Sequence, residues 1–316
     1  MGNDNKKRSY LFYIAIPVAL TLYFSLLVLD RWAVSTPLNL HLENKIEGFN
    51  KKENINNIII GGSNAFYSLS AKFLSVNTND TWYNLSISAE GFSDQNYIEL
   101  LNQDLDFKKR QNVKNIFYSS IYYYRNGEIG LRNSSKRQID GSNRFSIKPR
   151  FSGFTYLKRF LLNRKIFIDY PSQNEAGDII FRSGLCDNER IFQRFKIEDF
   201  DKIYTNILYK AEALHSIFPN STIYIIFPKD YIEEGSLGFY HKQISELKLF
   251  FKERSMIDNN TELFSSIKIF FQEPYSFEEL CDSPSHANPV GRETRSEELL
   301  SWFNISTKSS SVQESE

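Results

Sequence analysis

The sequence predicts an α/β fold: a three-layer sandwich around a central, mostly parallel sheet of five strands. Three observations predict it. Short β-branched or aromatic runs alternate with stretches of helical spacing from Asn56 to Phe303, the pattern of βαβ units feeding a parallel sheet. The first run, Ile58-Ile59-Ile60, breaks at Gly61-Gly62-Ser63-Asn64 and passes into a helical stretch. That places a serine at the carboxyl end of a strand, where open α/β sheets hold their ligands. Finally, 316 residues are enough for one large core or two smaller ones.

The N-terminus stands apart from this pattern. Tyr10 to Leu29 is apolar and contains no charged residue, and about 20 such residues span a bilayer as a helix. Lys6, Lys7 and Arg8 precede the run and Asp30 and Arg31 follow it, which favours a cytoplasmic N-terminus and a chain that continues outside the membrane. A cleaved signal peptide is the rival. Its apolar core is usually ~7–15 residues, shorter than this run, and the nearest small-x-small site, Ala33-Val34-Ser35, is crowded by Trp32. Residues 1–31 therefore read as a cytoplasmic stub and a transmembrane anchor, with Pro17 tolerable inside a membrane helix. Residues 32–55 read as a polar stalk, partly helical because Leu38, Leu42 and Ile46 recur at near-helical spacing.

The domain is expected over 56–305. Its strands are read at Asn57–Gly61, Trp82–Ile87, Asn115–Ile121, Thr222–Phe227 and Ile267–Phe271. Helices are read at Ala65–Leu74, Gln95–Leu105, Asp201–Ile217, Phe239–Phe251 and Gly291–Phe303, the third with Ile203, Ile207, Ala211 and Leu214 on one face. The stretch from Arg125 to about Phe200 is weakly periodic and too long for a plain loop. It reads as an insertion, either a lid or substrate platform or a disordered excursion. The polar residues 306–316 read as a disordered tail.

Composition removes some functions. Lys+Arg and Asp+Glu are both 38, so no basic excess points to nucleic acid. The two cysteines, Cys186 and Cys281, have no metal-binding spacing. In an exported domain they can pair, but sequence does not give their separation. Aromatic residues reach 15 %, which serves a core or stacking on sugars.

Two stretches carry chemistry. Behind Ser63 a helix start offers free backbone N–H groups suited to developing negative charge, although an ordinary serine-capped turn looks the same. Near the C-terminus runs Cys281-Asp282-Ser283-Pro284-Ser285-His286-Ala287-Asn288-Pro289-Val290-Gly291. Asp and His on one loop can serve as orienter and base for a serine held nearby, or can be surface decoration. Of the four histidines only His286 sits in such company; His41, His215 and His241 do not.

Taken together, the serine after the first strand, the Gly91 loop after the second and the Asp/His loop before the last helix resemble the SGNH/GDSL hydrolase superfamily, whose sheet is flavodoxin-like. The first block reads Gly61-Gly62-Ser63-Asn64 where that family has Gly-Asp-Ser, and the last reads His286-Ala287-Asn288-Pro289-Val290-Gly291, matching His-x-Asn-x-x-Gly. The chain most resembles membrane-anchored members linked to cell-surface polysaccharide acylation. The resemblance implies Ser63 as nucleophile, His286 as base and Asp282 as its orienter. It implies the N–H groups of Ser63 and Gly91 as oxyanion hole, and Asn64 and Asn288 on the substrate side. It implies no metal and no cofactor. The implied partners are a glycan, the membrane and a membrane protein that donates acyl groups.

Two departures stand out. Three residues rather than two separate Asp282 from His286, and no Asn follows the third strand until Asn126. The loss of one oxyanion donor typically costs about 10²–10³ in rate. These departures favour the alternative, an inactive SGNH-like subunit that binds glycan or assembles a membrane complex. The α/β-hydrolase elbow Gly-x-Ser-x-Gly is a near miss at Gly61–Ala65, but that fold places more sheet before its serine.

Overall fold

The computed structural model describes residues 17–18, 20–21, 23–25, 37–87, 98, 101–119, 172–181, 186, 199–257, 267–281, 283 and 285–313, with backbone alone at 37–43 and 306–313. The chain divides into two units, Met1–Glu43 with Gln138–Tyr170, and Asn44–Arg137 with Pro171–Glu316. In the first unit, the described positions between 17 and 25 are helical, with Val18, Leu20 and Phe24 exposed. Most of the expected span lies outside the described residues, and among the described residues no helix is long and apolar enough to cross a membrane.

The second unit is built on five parallel strands: β1 (Asn57–Gly61), β2 (Trp82–Asn84), β3 (Asn115–Ser119), β4 (Thr222–Ile226) and β5 (Ile267–Phe270). Their order in the sheet is β2-β1-β3-β4-β5. The chain therefore leaves β1 in one direction to form β2, then crosses back over β1 to form β3. That reversal opens a crevice at the carboxyl ends of β1 and β3, the switch point where sheets of this order bind ligands. A central parallel strand is covered on both faces, and β1 is buried throughout, with Ile58, Ile59 and Ile60 at 0 % exposure.

Four further helices matter to the site: α1 (Pro37–Lys51), α2 (Ser63–Ser68), α3 (Ala71–Asn77) and, at the end of the chain, the helix Pro289–Gln313. Ile59, Phe117, Tyr224 and Ile226 on one sheet face pack with Ala65, Leu74, Leu299 and Phe303, so α2, α3 and the last helix share that layer. The helix α4 (Phe107–Asn112) leads into β3, and α5 (Phe200–Ile217) and α6 (Leu237–Ile257) connect β3 to β4 and β4 to β5. Right-handed crossovers running the other way put α5 and α6 on the opposite face. There they meet through Tyr204 against Phe250 and Phe251. The last helix is α7.

The five strands fall where the sequence places them, and three differences have physical causes. The single helix expected over Ala65–Leu74 is two, because Leu69 is extended and Ser70 starts a new N-terminus by accepting from Phe73 N–H. The buried carboxylate of Asp178 completes that cap, accepting from Ala71 N, Lys72 N and Ser70 Oγ at 2.8–3.0 Å. Asp178 belongs to the stretch read as an insertion, yet it sits at the core. Second, α7 continues to Gln313, past the point where composition suggests a disordered tail; extending a nucleated helix costs little per residue. Third, the stalk is not all spacer. Ile46 and Phe49 are buried, with Phe49 edge-on to Tyr83. Of the expected Gln95–Leu105 helix, positions 98 and 101–104 are helical and 95–97, 99 and 100 lie outside the described residues.

Lys45 shares a helix face with Phe49, four residues on. It is fully buried, donates to Asn84 O at 2.8 Å and Gly177 O at 2.7 Å, and lies 4.9 Å from the centre of the Phe66 ring. Burial pulls its pKa down to about 7, with the Asp178 carboxylate opposing that shift. The unfolded chain holds this proton up to about pH 10.5, so the fold gains stability as pH rises from about 7 to about 10.5 and loses it as pH falls back through 7. In urea titrations the stability of the native chain minus that of Lys45→Met is expected to grow across this window by roughly 4 kcal/mol at ~1.4 kcal/mol per pKa unit. A difference that stays flat with pH would show that Lys45 is not desolvated as described.

Candidate functional site

Gly61 brings the chain out of the sheet. Its φ is +154°, and a Cβ there would lie 1.9 Å from Ser119 O, so β1 and β3 meet more closely than any side chain allows. Gly62 N–H donates to Ser119 O at 3.2 Å, and Ile87 N–H donates to Gly61 O at 3.1 Å. The carboxyl ends of the three strands are thus drawn together around Ser63. The loop that carries Gly91 departs just after Ile87, but Gly91 itself lies outside the described residues.

Ser63 opens α2 and is half-buried. Gly62 O accepts both Ala65 N–H and Phe66 N–H. The N–H groups of Ser63 and Asn64 are therefore left without an intrahelical partner, as at any helix start. Tyr67 stands four residues beyond Ser63, on the same helix face about 6 Å along the axis. The imidazole of His286 stacks on Tyr67 with ring centroids 4.4 Å apart and planes 14° from parallel. Ser68 brackets the same histidine: its hydroxyl donates to Ser285 O at 3.5 Å and accepts from Ala287 N–H at 3.4 Å. Two loops far apart in sequence thus converge on one short helix. Among the described hydrogen bonds none joins Ser63 to His286; catalytic pairs often close only in the substrate complex.

The His286 loop is held from the other side as well. Leu280 and Ala287 form an antiparallel bridge, Cys281 N–H donates to His286 O at 2.8 Å, and Asn288 N–H donates to Glu279 O at 2.8 Å. Cys281 is joined to Cys186 by a disulfide with a Cα–Cα distance of 4.3 Å. Pairing that the sequence leaves open is formed, and it ties the base of the loop to residue 186. Asp282 lies outside the described residues.

The two asparagines expected on the substrate side are engaged in the scaffold. Asn288 caps α7, accepting from Gly291 N–H at 3.0 Å through Oδ1 and donating to Glu278 O and Leu280 O through Nδ2. Gly291 presses against the same turn, since a Cβ there would meet Glu279 O at 2.5 Å. The motif His-x-Asn-x-x-Gly is thus a helix start packed on a turn. Asn64 is fully buried and donates to Ser119 Oγ at 2.8 Å. Asn288 thus uses both ends of its amide on the scaffold, whereas Asn64 Oδ1 is buried without a hydrogen-bond partner among the described residues.

Sequence reasoning misses the group beneath them. Arg295, on α7, is fully buried. Its guanidinium donates to Asn64 O at 3.0 Å, Ser119 Oγ at 3.2 Å, Phe227 O at 3.4 Å and Gln272 Oε1 at 2.7 Å. These acceptors follow or end β1, β3, β4 and β5. One signal was available: Arg295 stands in register with Leu299 and Phe303, so a basic residue interrupts an apolar stripe. One turn on, Glu298 accepts from Lys229 at 2.8 Å and from Gln272 Nε2 at 3.0 Å. Among the described residues no group of His, Cys, Asp and Glu could hold a metal ion.

No family model matches the sequence, and neither does any curated protein. Solved structures similar to this chain include an acetyl xylan esterase from the rumen bacterium Butyrivibrio proteoclasticus, at 12 % identity and a TM-score of 0.38 over 80 % of this chain. Another is a family two carbohydrate esterase from Clostridium thermocellum in complex with cellohexaose, at 10 % identity and 0.42 over 81 % of this chain. A third is a Streptococcus pneumonia protein provisionally named platelet activating factor, at 12 % identity and 0.40, covering 88 % of this chain and 98 % of that one. The chain spans 64 % and 66 % of the lengths of the two esterases. Likeness of this degree carries no argument about chemistry, which rests on the chain's own residues.

Arg295→Met leaves four buried acceptors without their donor and is expected to cost about 3–5 kcal/mol. Arg295→Lys should recover part of this, since a point charge cannot serve four acceptors; urea midpoints measure both. Gly61→Ala is expected to lower stability by about 1–3 kcal/mol by forcing β1 from β3. An unchanged midpoint would mean that the close approach relaxes freely.

Proposed function

We propose that the protein is a serine esterase or O-acyltransferase that acts on acyl, most simply acetyl, esters of a cell-surface or exported polysaccharide. The observation that supports this is the stacking of His286 on Tyr67, one helical turn along α2 from Ser63, at the switch point of the sheet. Ser63 attacks the acyl carbonyl, and His286 takes its proton and returns it to the leaving group. The N–H of Ser63, left without an intrahelical partner, together with that of Gly91, receives the oxyanion. Asp282 orients the imidazole. Water as second acceptor gives hydrolysis of the acyl-serine; a sugar hydroxyl gives transfer.

The membrane assignment rests on the uncharged run Tyr10–Leu29 and its basic flank, supported by the exposed Val18, Leu20 and Phe24. In this reading the N-terminus stays in the cytoplasm, and the domain works outside the membrane on a glycan, receiving acyl groups from a membrane protein if it is a transferase. The second reading, an inactive SGNH-like subunit that binds glycan or assembles a complex, draws support from one observation. Asn288 serves the scaffold through both ends of its amide, leaving one fewer side chain for a substrate.

A fluorophosphonate probe should label the full chain at Ser63, and Ser63→Ala should abolish both labelling and turnover of an activated acetyl ester with an unchanged urea midpoint. A wild-type chain that neither labels nor turns over ester favours the inactive subunit. A Ser63→Ala variant as active as wild type removes the assignment of the nucleophile.

A further inference from the structure

Tyr67 has no place in the chemistry so far, yet it is the ring against which the proposed base rests. It is 7 % exposed and is itself fixed, edge-on to Phe66 at 5.2 Å and tilted against Phe181 at 6.3 Å. Phe181 in turn lies 4.6 Å beneath the Arg292 guanidinium, which donates to Ile179 O at 2.7 Å. The ring is thus held by two neighbouring rings, and its face is presented to His286 at 14° from parallel. A phenol face carries negative charge density and attracts a cation above it.

Resting on the proposed acyl-transfer reading, we infer that Tyr67 is a positioning residue for His286: it fixes the plane of the imidazole and favours the imidazolium formed when His286 accepts the Ser63 proton. The imidazolium exists during the reaction and not before it, so this contact strengthens as the transition state is approached. That is the kind of interaction that raises kcat rather than lowering KM. The helical register makes the device compact, since residue 63 gives up the proton and residue 67 steadies the group receiving it.

The test uses the full chain and two substitutions. Tyr67→Leu keeps an apolar body beside the imidazole and removes the π face; Tyr67→Phe keeps the face. Two properties are read: the titration of His286 by NMR of labelled histidine, assigned with His286→Asn, and the pH profile of acetyl-ester turnover. A contact that favours the imidazolium is tested by its removal, which then favours the neutral imidazole. Tyr67→Leu is expected to move the titration and the acid limb of kcat/KM down by about 0.4–1.5 pH units. It should lower kcat about 3- to 30-fold with KM little changed. Tyr67→Phe should stay within about threefold of wild type in kcat and restore most of the titration shift. Among the described residues, the charged groups on the elements around the imidazole include Glu278 and Glu279 before it, Arg292, Glu293 and Arg295 on α7, Asp178 near Arg292, Asp230 near Tyr275, and Lys45 beyond Phe66. None of them changes in these variants, so the differences isolate the ring.

A His286 titration that does not move in Tyr67→Leu overturns the inference, as does a Tyr67→Phe variant that behaves like Tyr67→Leu. The titration needs no turnover. A chain that never labels at Ser63 therefore refutes the enzymatic reading, while the ring contact stands or falls on NMR alone.

Discussion

A cation with no carboxylate beside it holds the working edge of this sheet. None of the ion pairs among the described residues involves Arg295; its donors go to two backbone carbonyls, a hydroxyl and an amide. A buried charge is tolerated when its hydrogen bonds are satisfied, and the carboxyl edge of a parallel sheet is where backbone oxygens run out of strand partners. Four of five strands send an acceptor to the same guanidinium. Because Arg295 belongs to α7 and the His286 loop leads directly into α7, fixing this helix against the strand ends fixes the loop against Ser63. A hydrophobic stripe alone would allow α7 to slide. The fork geometry of an arginine does not, since each donor has one place to go.

The same helix carries a second tier of polar contacts. Arg292 reaches Ile179 O, and Ser296 accepts from Ser70 N–H at 3.0 Å. The face of α7 toward α2 and α3 is therefore a mixed surface, apolar at Leu299 and Phe303 and polar at residues 292, 295 and 296. Asp178 adds a third point of registry from a segment distant in the chain, capping α3 and accepting from Asn84 Nδ2 at 3.1 Å. These bonds are directional where packing is not. The site is positioned by polar groups within a core that apolar burial alone would leave less specific.

Periodicity made the sheet legible and polar burial made the rest opaque. Ile58-Ile59-Ile60 before two glycines announces a buried strand and a sharp exit, and both are found. Spacing and alternation say where strands begin and that they run parallel; they do not say that β3 lies beyond β1. Lys45 and Arg295 look like solvated charges because most lysines and arginines are. Their burial is visible only when each is placed in register with Phe49 or with Leu299 and Phe303. Asp178 lies in a stretch with no period at all, and nothing local marks it. Asn64 and Asn288 show a further limit: a motif names the residues around a site and not which of their atoms the scaffold uses, as Asn288 uses both ends of its amide. The Cys186–Cys281 bond needed a distance that sequence does not supply.

The bonds from Ser68 to the backbone on either side of His286 are long, at 3.5 and 3.4 Å, and long bonds give way readily. The loop is therefore held more tightly by the disulfide, the Asn288 cap and the 2.8 Å bond from Cys281 N–H to His286 O than by Ser68. The stack on Tyr67 also constrains the imidazole, resisting tilt of its plane. Ser63 and His286 are thereby both referenced to the same six-residue helix, Ser63 by opening it and His286 by stacking on Tyr67.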